Sequence, residues 1–129
     1  MSIDPVYIKG RLVKSVQAIR EAELLCGAEF YSTAVSRLYY SVFYLGSALL
    51  LKKGIITKTH KGFRTQFFQH FIQTGLIEKA TGDFVGFLFN LRQENDYNDS
   101  DILNKKETEH LISETKLITE KLTEYFNSI

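Results

Sequence analysis

Two polar clusters hold the side chains best suited to chemistry. The first is Ser36-Arg37-Leu38-Tyr39-Tyr40-Ser41, where Arg37, Tyr40, Ser41 and Tyr44 recur at i, i+3, i+4 and i+7 and so share one helical face. A guanidinium in so apolar a stretch is costly unless it meets a carboxylate or a phosphate. Glu94 or Asp96 is the candidate carboxylate. The second cluster is Arg92-Gln93-Glu94-Asn95-Asp96-Tyr97, an unbroken polar run directly after a Phe-rich stretch. An arginine suits the negative end of a helix, but Glu94 and Asp96 at the same end oppose it. Local rule-breaking of this kind is expected at functional positions, and a solvated helix end is the plainer alternative.

Other signatures are missing. The chain has no GxxxxGK[ST] loop and no GxGxxG loop, which excludes a P-loop or Rossmann nucleotide site at motif level. His60, His70 and His110 stand apart, and the two ExxH motifs on separate helices that a di-iron bundle uses are missing. A lone cysteine, Cys26, makes neither an intramolecular disulfide nor a Cys-based zinc site. No metal or cofactor is expected, and one unpaired cysteine fits a reducing, cytoplasmic setting.

Composition narrows the class further. At 129 residues the expectation is one domain spanning 1–129. Hydrophobic residues are 44% and charged residues 24%, ordinary globular usage that excludes wholesale disorder. The formal net charge of +1 excludes a protein that coats nucleic acid by bulk charge. That figure conceals a split. Phe30 to Ile77 contains no acid but has Arg37, Lys52, Lys53, Lys58, Lys61 and Arg64, a local +6, while the flanks sum to −5. Basic helices pairing with acidic ones would account for it, as would a confined anion site for a nucleotide or RNA around Lys52 to Arg64.

The elements that must position these residues are helical. Pro5 is the only proline, so little interrupts long helices. Asp4 and Pro5 open a first helix ending near Gly27, with an apolar stripe of Ile8, Leu12, Val16 and Ile19. A second runs from about Tyr31 to Lys53, stopped by Gly54. It is apolar nearly all round and so belongs at the centre or at a subunit interface. Its nearly uncharged run, Leu38 to Leu51, is 14 residues, short of the roughly 20 that span a membrane.

A third helix follows from His60 to Thr74, capped by Thr59, with Phe63, Phe67, His70 and Phe71 on one side. The fourth covers Thr81 to Asn95, marked by Phe84, Phe87, Leu88 and Leu91. Tyr97 to Leu103 reads as a polar loop. Asn104 and Glu107 then form a capping-box start for a fifth helix, with Leu111, Thr115, Ile118 and Leu122 as its stripe. No run alternates with period two. The fold class is all-α, an up-and-down bundle of four to five helices.

The order SRLYYSVFYLGSALLLKKG, KTHKGFRTQFFQHFIQTGLI, LFNLRQENDYND resembles the HEPN domain, especially its compact bacterial and archaeal branch, over about residues 8–126. That resemblance implies a HEPN-like helical bundle, a homodimer, and an arginine followed after four to six residues by a histidine, facing a shared cleft. It also implies kinship with metal-independent ribonucleases, often toxins, and with companions of small nucleotidyltransferases.

Arg92 matches the motif arginine, while Tyr97 stands where catalytic members carry histidine. A phenol with an ordinary pKa near 10 donates a proton but is a poor base at neutral pH. The implied function is therefore a non-catalytic or weakly catalytic nucleotide- or RNA-binding homodimer, paired with a nucleotidyltransferase in a toxin–antitoxin-like module. Arg92 and Tyr97 are its catalytic candidates, and Arg37, Tyr40, Lys58, His60, Asn95 and Asp96 its ligand-binding candidates. The alternatives are a ribonuclease toxin using Arg92 with Tyr97 or His60, and a purely structural scaffold.

Overall fold

The structure, a computed structural model, describes residues 3–97 and 103–129. Among these residues are five α-helices: α1 (Pro5–Gly27), α2 (Tyr31–Lys52), α3 (His60–Phe67), α4 (Lys79–Tyr97) and α5 (Lys105–Ser128). No strand occurs among the described residues. The stretch expected as a loop, Tyr97–Leu103, lies outside them except at its ends, where Tyr97 still belongs to α4.

Local chemistry sets most boundaries. The Asp4 side chain accepts from the Val6 N–H at 2.9 Å, with Pro5 at the first helical position. Thr59 caps α3 by accepting from the Gly62 N–H at 2.9 Å. Asn104 and Glu107 make the reciprocal capping box, at 2.9 and 3.3 Å.

The C-termini of α1 and α2 share one motif with different residues. Beyond α2, Ile55 N–H donates to Leu50 O and Gly54 N–H to Leu51 O, both at 2.9 Å, with Gly54 at φ +79°. Beyond α1, Phe30 N–H donates to Leu25 O at 2.8 Å and Glu29 N–H to Cys26 O at 3.0 Å. The left-handed position here is Glu29, at φ +69°, where a Cβ is costly.

α2 is the core. It packs against α1, α3, α4 and α5, and Leu38, Tyr39, Val42, Leu45, Leu49 and Leu50 on several of its faces are buried. By length and composition it could cross a membrane, but most of that window is covered by the other helices.

Three expectations need correction. The face that α1 turns inward is Ser15, Ala18, Ala22 and Cys26, and Val16 is 62% exposed. Small residues bring the two backbones close, and Ser15 and Ser41 clasp them. The Ser15 hydroxyl donates to Ser41 O at 2.8 Å and the Ser41 hydroxyl to Ser15 O at 3.0 Å.

The third helix is not uniform either. α3 gives way to a π-helical turn, Phe68–Ile72, whose wider winding turns both Phe71 and Ile72 to the core. His70 is left half-buried, with Nε2 3.1 Å from Gln66 Oε1. On α4 the inward residues are Val85, Leu88, Phe89 and Leu91, while Phe87 is 45% exposed. Apolar residues lie on more than one side of α4, so their presence alone does not say which side is inside.

Candidate functional site

α2, α3 and α4 converge on one cluster. α2 supplies the adjacent rings Tyr39 and Tyr40, the first residue of α3 supplies His60, and the last turns of α4 supply Arg92. The caps matter here. Thr59 fixes where α3 begins, and so where the His60 ring enters.

The His60 imidazole lies among aromatic rings, with centroids 4.7 Å from Phe43, 5.5 Å from Tyr39 and 5.6 Å from Tyr40. Its Nδ1 is 2.8 Å from the Tyr39 hydroxyl. Burial lowers the His60 pKa below its ordinary 6.5, and the Arg92 charge lowers it further. The ring is therefore neutral at neutral pH. Burial pushes the Tyr39 phenol well above its usual range, and the Arg92 and Arg64 charges only partly oppose this. Tyr39 stays protonated, and the pair is a neutral hydrogen-bonded unit.

Tyr40 lies beside two guanidinium groups. Arg92 Cζ is 5.3 Å and Arg37 Cζ 5.1 Å from its centroid. Arg92 is also 5.6 Å from the Tyr39 ring, contacts of the cation–π kind. The Arg92 side chain is 20% exposed, and its carboxylate neighbour is Asp96, one turn on, at 3.7 Å. That distance is long for a charge-assisted hydrogen bond.

Arg37 does not meet Glu94 or Asp96 as expected. Its Nη2 reaches Glu21 Oε1 on α1 at 3.1 Å. Sequence gave no local signal for that partner, because α1 and α2 meet only once folded. The Arg37 Nε is buried without a hydrogen-bond partner among the described residues.

The other candidates are placed differently. The Asn95 amide donates to Ser32 O at 3.0 Å, tying the end of α4 to the start of α2, and its Oδ1 is buried without a partner among the described residues. Asp96 is half-exposed beside Arg92. Lys58 is exposed on the connector before α3, with no bond to the cluster among the described contacts. The Tyr97 backbone belongs to the end of α4, and its side chain lies outside the described residues. Tyr39, Phe43 and Glu21 are the members that sequence reasoning did not place in the site. The adjacent Tyr39-Tyr40 pair is the one local hint of a ring platform.

The basic segment meets little of the acidic flanks among the described residues. Among the described residues only Arg37 of that segment forms an ion pair. Lys52 caps Phe126 O at 2.8 Å, Lys53 lies over the Phe71 ring and Arg64 over Phe89. Among the described residues no group of three or more His, Cys, Asp or Glu side chains is placed to hold a metal ion. The arrangement offers two cations on a ring platform with a neutral imidazole beside it, a setting that can receive a phosphate or a carboxylate.

The chain is similar to several proteins of archaea and bacteria. "Putative toxin MJ0142" of Methanocaldococcus jannaschii is 35% identical over 89% of this chain and 78% of its own length. "Putative toxin MJ0605" of the same organism is 32% identical over 84% of this chain and 80% of its own. A UPF0332 protein of Thermotoga maritima is 38% identical over 63% of this chain and 61% of its own. Residues 9–125 match the HEPN domain, and the chain belongs to that family.

Proposed function

We propose that this chain is a nucleotide- or RNA-binding HEPN module that acts as a homodimer. It pairs with a nucleotidyltransferase in a toxin–antitoxin-like system and is itself weakly catalytic or non-catalytic. The kinship to proteins named as toxins supports the system. The observation that carries the binding role is Arg92, a largely buried guanidinium on the Tyr39–Tyr40 platform, whose carboxylate neighbour among the described residues is 3.7 Å away. A charge so placed is poorly compensated among the described residues and gains from a phosphate. Arg37 adds a second cation on Tyr40.

A second reading, a metal-independent ribonuclease, is favoured by one feature: His60 and Arg92 share Tyr39 and Tyr40 as neighbours. In that reading Arg92 stabilises the negative charge developing on the phosphoryl oxygens. Neutral His60 takes the 2′-hydroxyl proton.

Both readings meet one experiment. Purified protein is mixed with fluorescein-labelled single-stranded RNA and followed by anisotropy and by gel, with sedimentation giving the oligomeric state. Binding by a dimer, weakened about tenfold or more in Arg92→Ala, is expected. Wild-type affinity in that variant overturns the site. Cleavage that survives EDTA and disappears in His60→Ala moves the assignment to the ribonuclease.

A further inference from the structure

A groove of about 850 Å³ runs between α4 and the length of α3 with its π-helical turn, on the side of α4 away from Asn95 and Ser32. Lys61, Arg64, Phe68, Phe87, Asn90 and Gln93 are among its lining residues. Its volume falls in the range of small-molecule sites.

Three irregularities converge on it. First, α4 carries Gly82 and Gly86 in its interior, where glycine weakens a helix. A Cβ on Gly86 would come within 2.9 Å of Arg64 Nη2, and one on Gly82 within 2.9 Å of Ile72. Gly86 leaves a notch that seats a guanidinium on the helix backbone, and Gly82 one that seats Ile72. Second, the π-helical turn inserts an extra residue where the groove is walled, a distortion frequent at functional sites. Third, Phe68 and Phe87 stay 46% and 45% exposed at the groove instead of joining the core.

The charges of the groove are one-sided. Arg64 lies over the Phe89 ring at 4.9 Å and makes no ion pair among the described residues. Lys61 is likewise unpaired among them, while Asp83, the groove's carboxylate, faces Lys79 at 3.3 Å. Two cations, two exposed rings and side-chain amides that include Asn90 and Gln93 are complementary to a phosphate, a flat heterocycle and its polar edge. An acidic peptide would use the cations and leave the rings and amides unmatched.

We infer that this groove is a binding subsite for a nucleoside phosphate. Lys61 and Arg64 meet the phosphate, Phe68 and Phe87 the base, and Asn90 and Gln93 the polar edge of the base. The ligand is a free nucleotide or one residue of single-stranded RNA. This rests on the nucleotide-binding reading above for the ligand class, but on a separate set of residues.

The test uses the full chain and two probes. AMP is titrated by calorimetry, and a fluorescein-labelled RNA octamer by anisotropy over a range of salt. Lys61→Gln/Arg64→Gln and Phe68→Ala/Phe87→Ala are compared with Arg92→Ala, each checked by thermal melting. Every substituted groove position is exposed. If one pair fails to fold, the other still decides.

Both groove pairs should weaken binding about tenfold or more, and only loss of the cations should flatten the salt dependence. AMP binding identifies a mononucleotide pocket, and octamer binding alone identifies a track for a strand. Binding lost in Arg92→Ala but kept in both groove pairs overturns the groove and leaves the proposed function standing. Binding lost in the groove pairs but kept in Arg92→Ala supports the groove and removes Arg92 as the site. An acidic peptide bound in place of both probes, or no binding of any, overturns the groove together with the nucleotide reading.

Discussion

The Tyr39 hydroxyl and His60 Nδ1 lie 2.8 Å apart and join the middle of α2 to the first residue of α3. Tyr39 is fully buried and His60 half-buried, so the hydroxyl does not readily exchange this partner for water. Tyr39→Phe keeps the ring and removes the bond. It should cost about 1 kcal/mol in urea unfolding, the net worth of a hydrogen bond in this setting. An unchanged midpoint would show that the pair contributes nothing to stability.

His60 also gives the fold a pH dependence. Its folded pKa is below the ordinary 6.5, so the folded state binds fewer protons than the unfolded chain wherever the two differ. The stability it contributes is complete above pH 6.5 and is lost as pH falls through the folded value. A nuclear magnetic resonance titration of the ring should show the low pKa directly. Arg92→Gln should raise it part of the way, because burial is the larger cause. A His60 pKa at or above 6.5 contradicts this account.

Gly46 on α2 faces the Phe63 ring, and a Cβ there would lie 2.7 Å from Cε1 and Cζ. Gly46→Ala forces Phe63 away, although alanine is the better helix former. Overpacking should win and destabilise by about 1–3 kcal/mol, read as a lower midpoint in denaturant.

Glu29 holds the left-handed position between α1 and α2 at φ +69°. A left-handed residue with a Cβ costs roughly 1–2 kcal/mol, and glycine returns part of that gain as unfolded-state entropy. Glu29→Gly should therefore stabilise by about 0.5–1 kcal/mol. A lower melting temperature would mean that the Glu29 side chain makes a compensating interaction.

Glu21 and Arg37 form a partly exposed pair at 3.1 Å. Such pairs contribute roughly 0–1 kcal/mol, so Glu21→Gln should change stability little. It removes the carboxylate that competes with an anion for Arg37. If Arg37 belongs to the binding site, RNA affinity should rise about threefold, a change worth under 1 kcal/mol. Unchanged affinity would mark Arg37 as structural.

The legible parts of the fold are those written in neighbouring residues. Asp4 with Pro5, Thr59, Gly54, and Asn104 with Glu107 act within four residues of themselves, and each sets a boundary where expected. The central place of α2 was equally readable, because a helix apolar on all faces has nowhere else to go.

Choices made only on packing were not readable. The apolar bulk of α1 suggested an inner face through Val16, whereas close approach to α2 selected Ser15, Ala18 and Ala22. Arg37 found its carboxylate on a helix that sequence spacing does not relate to it. In the candidate site, Arg37, Tyr40, His60 and Arg92 were named from sequence and lie together, whereas the Tyr39–His60 bond and the Lys61–Arg64 groove needed three-dimensional placement.

The buried position of α2 also bears on how the molecule comes apart. Every other α-helix uses α2 as a wall, so none can leave without wetting part of its buried surface. The amides at the middle of α2 can then exchange with solvent only through opening of the whole molecule. Those of the outer helices have cheaper routes through fraying. α2 is the last part of this protein to come loose, and the ring platform under Arg92 is built on it.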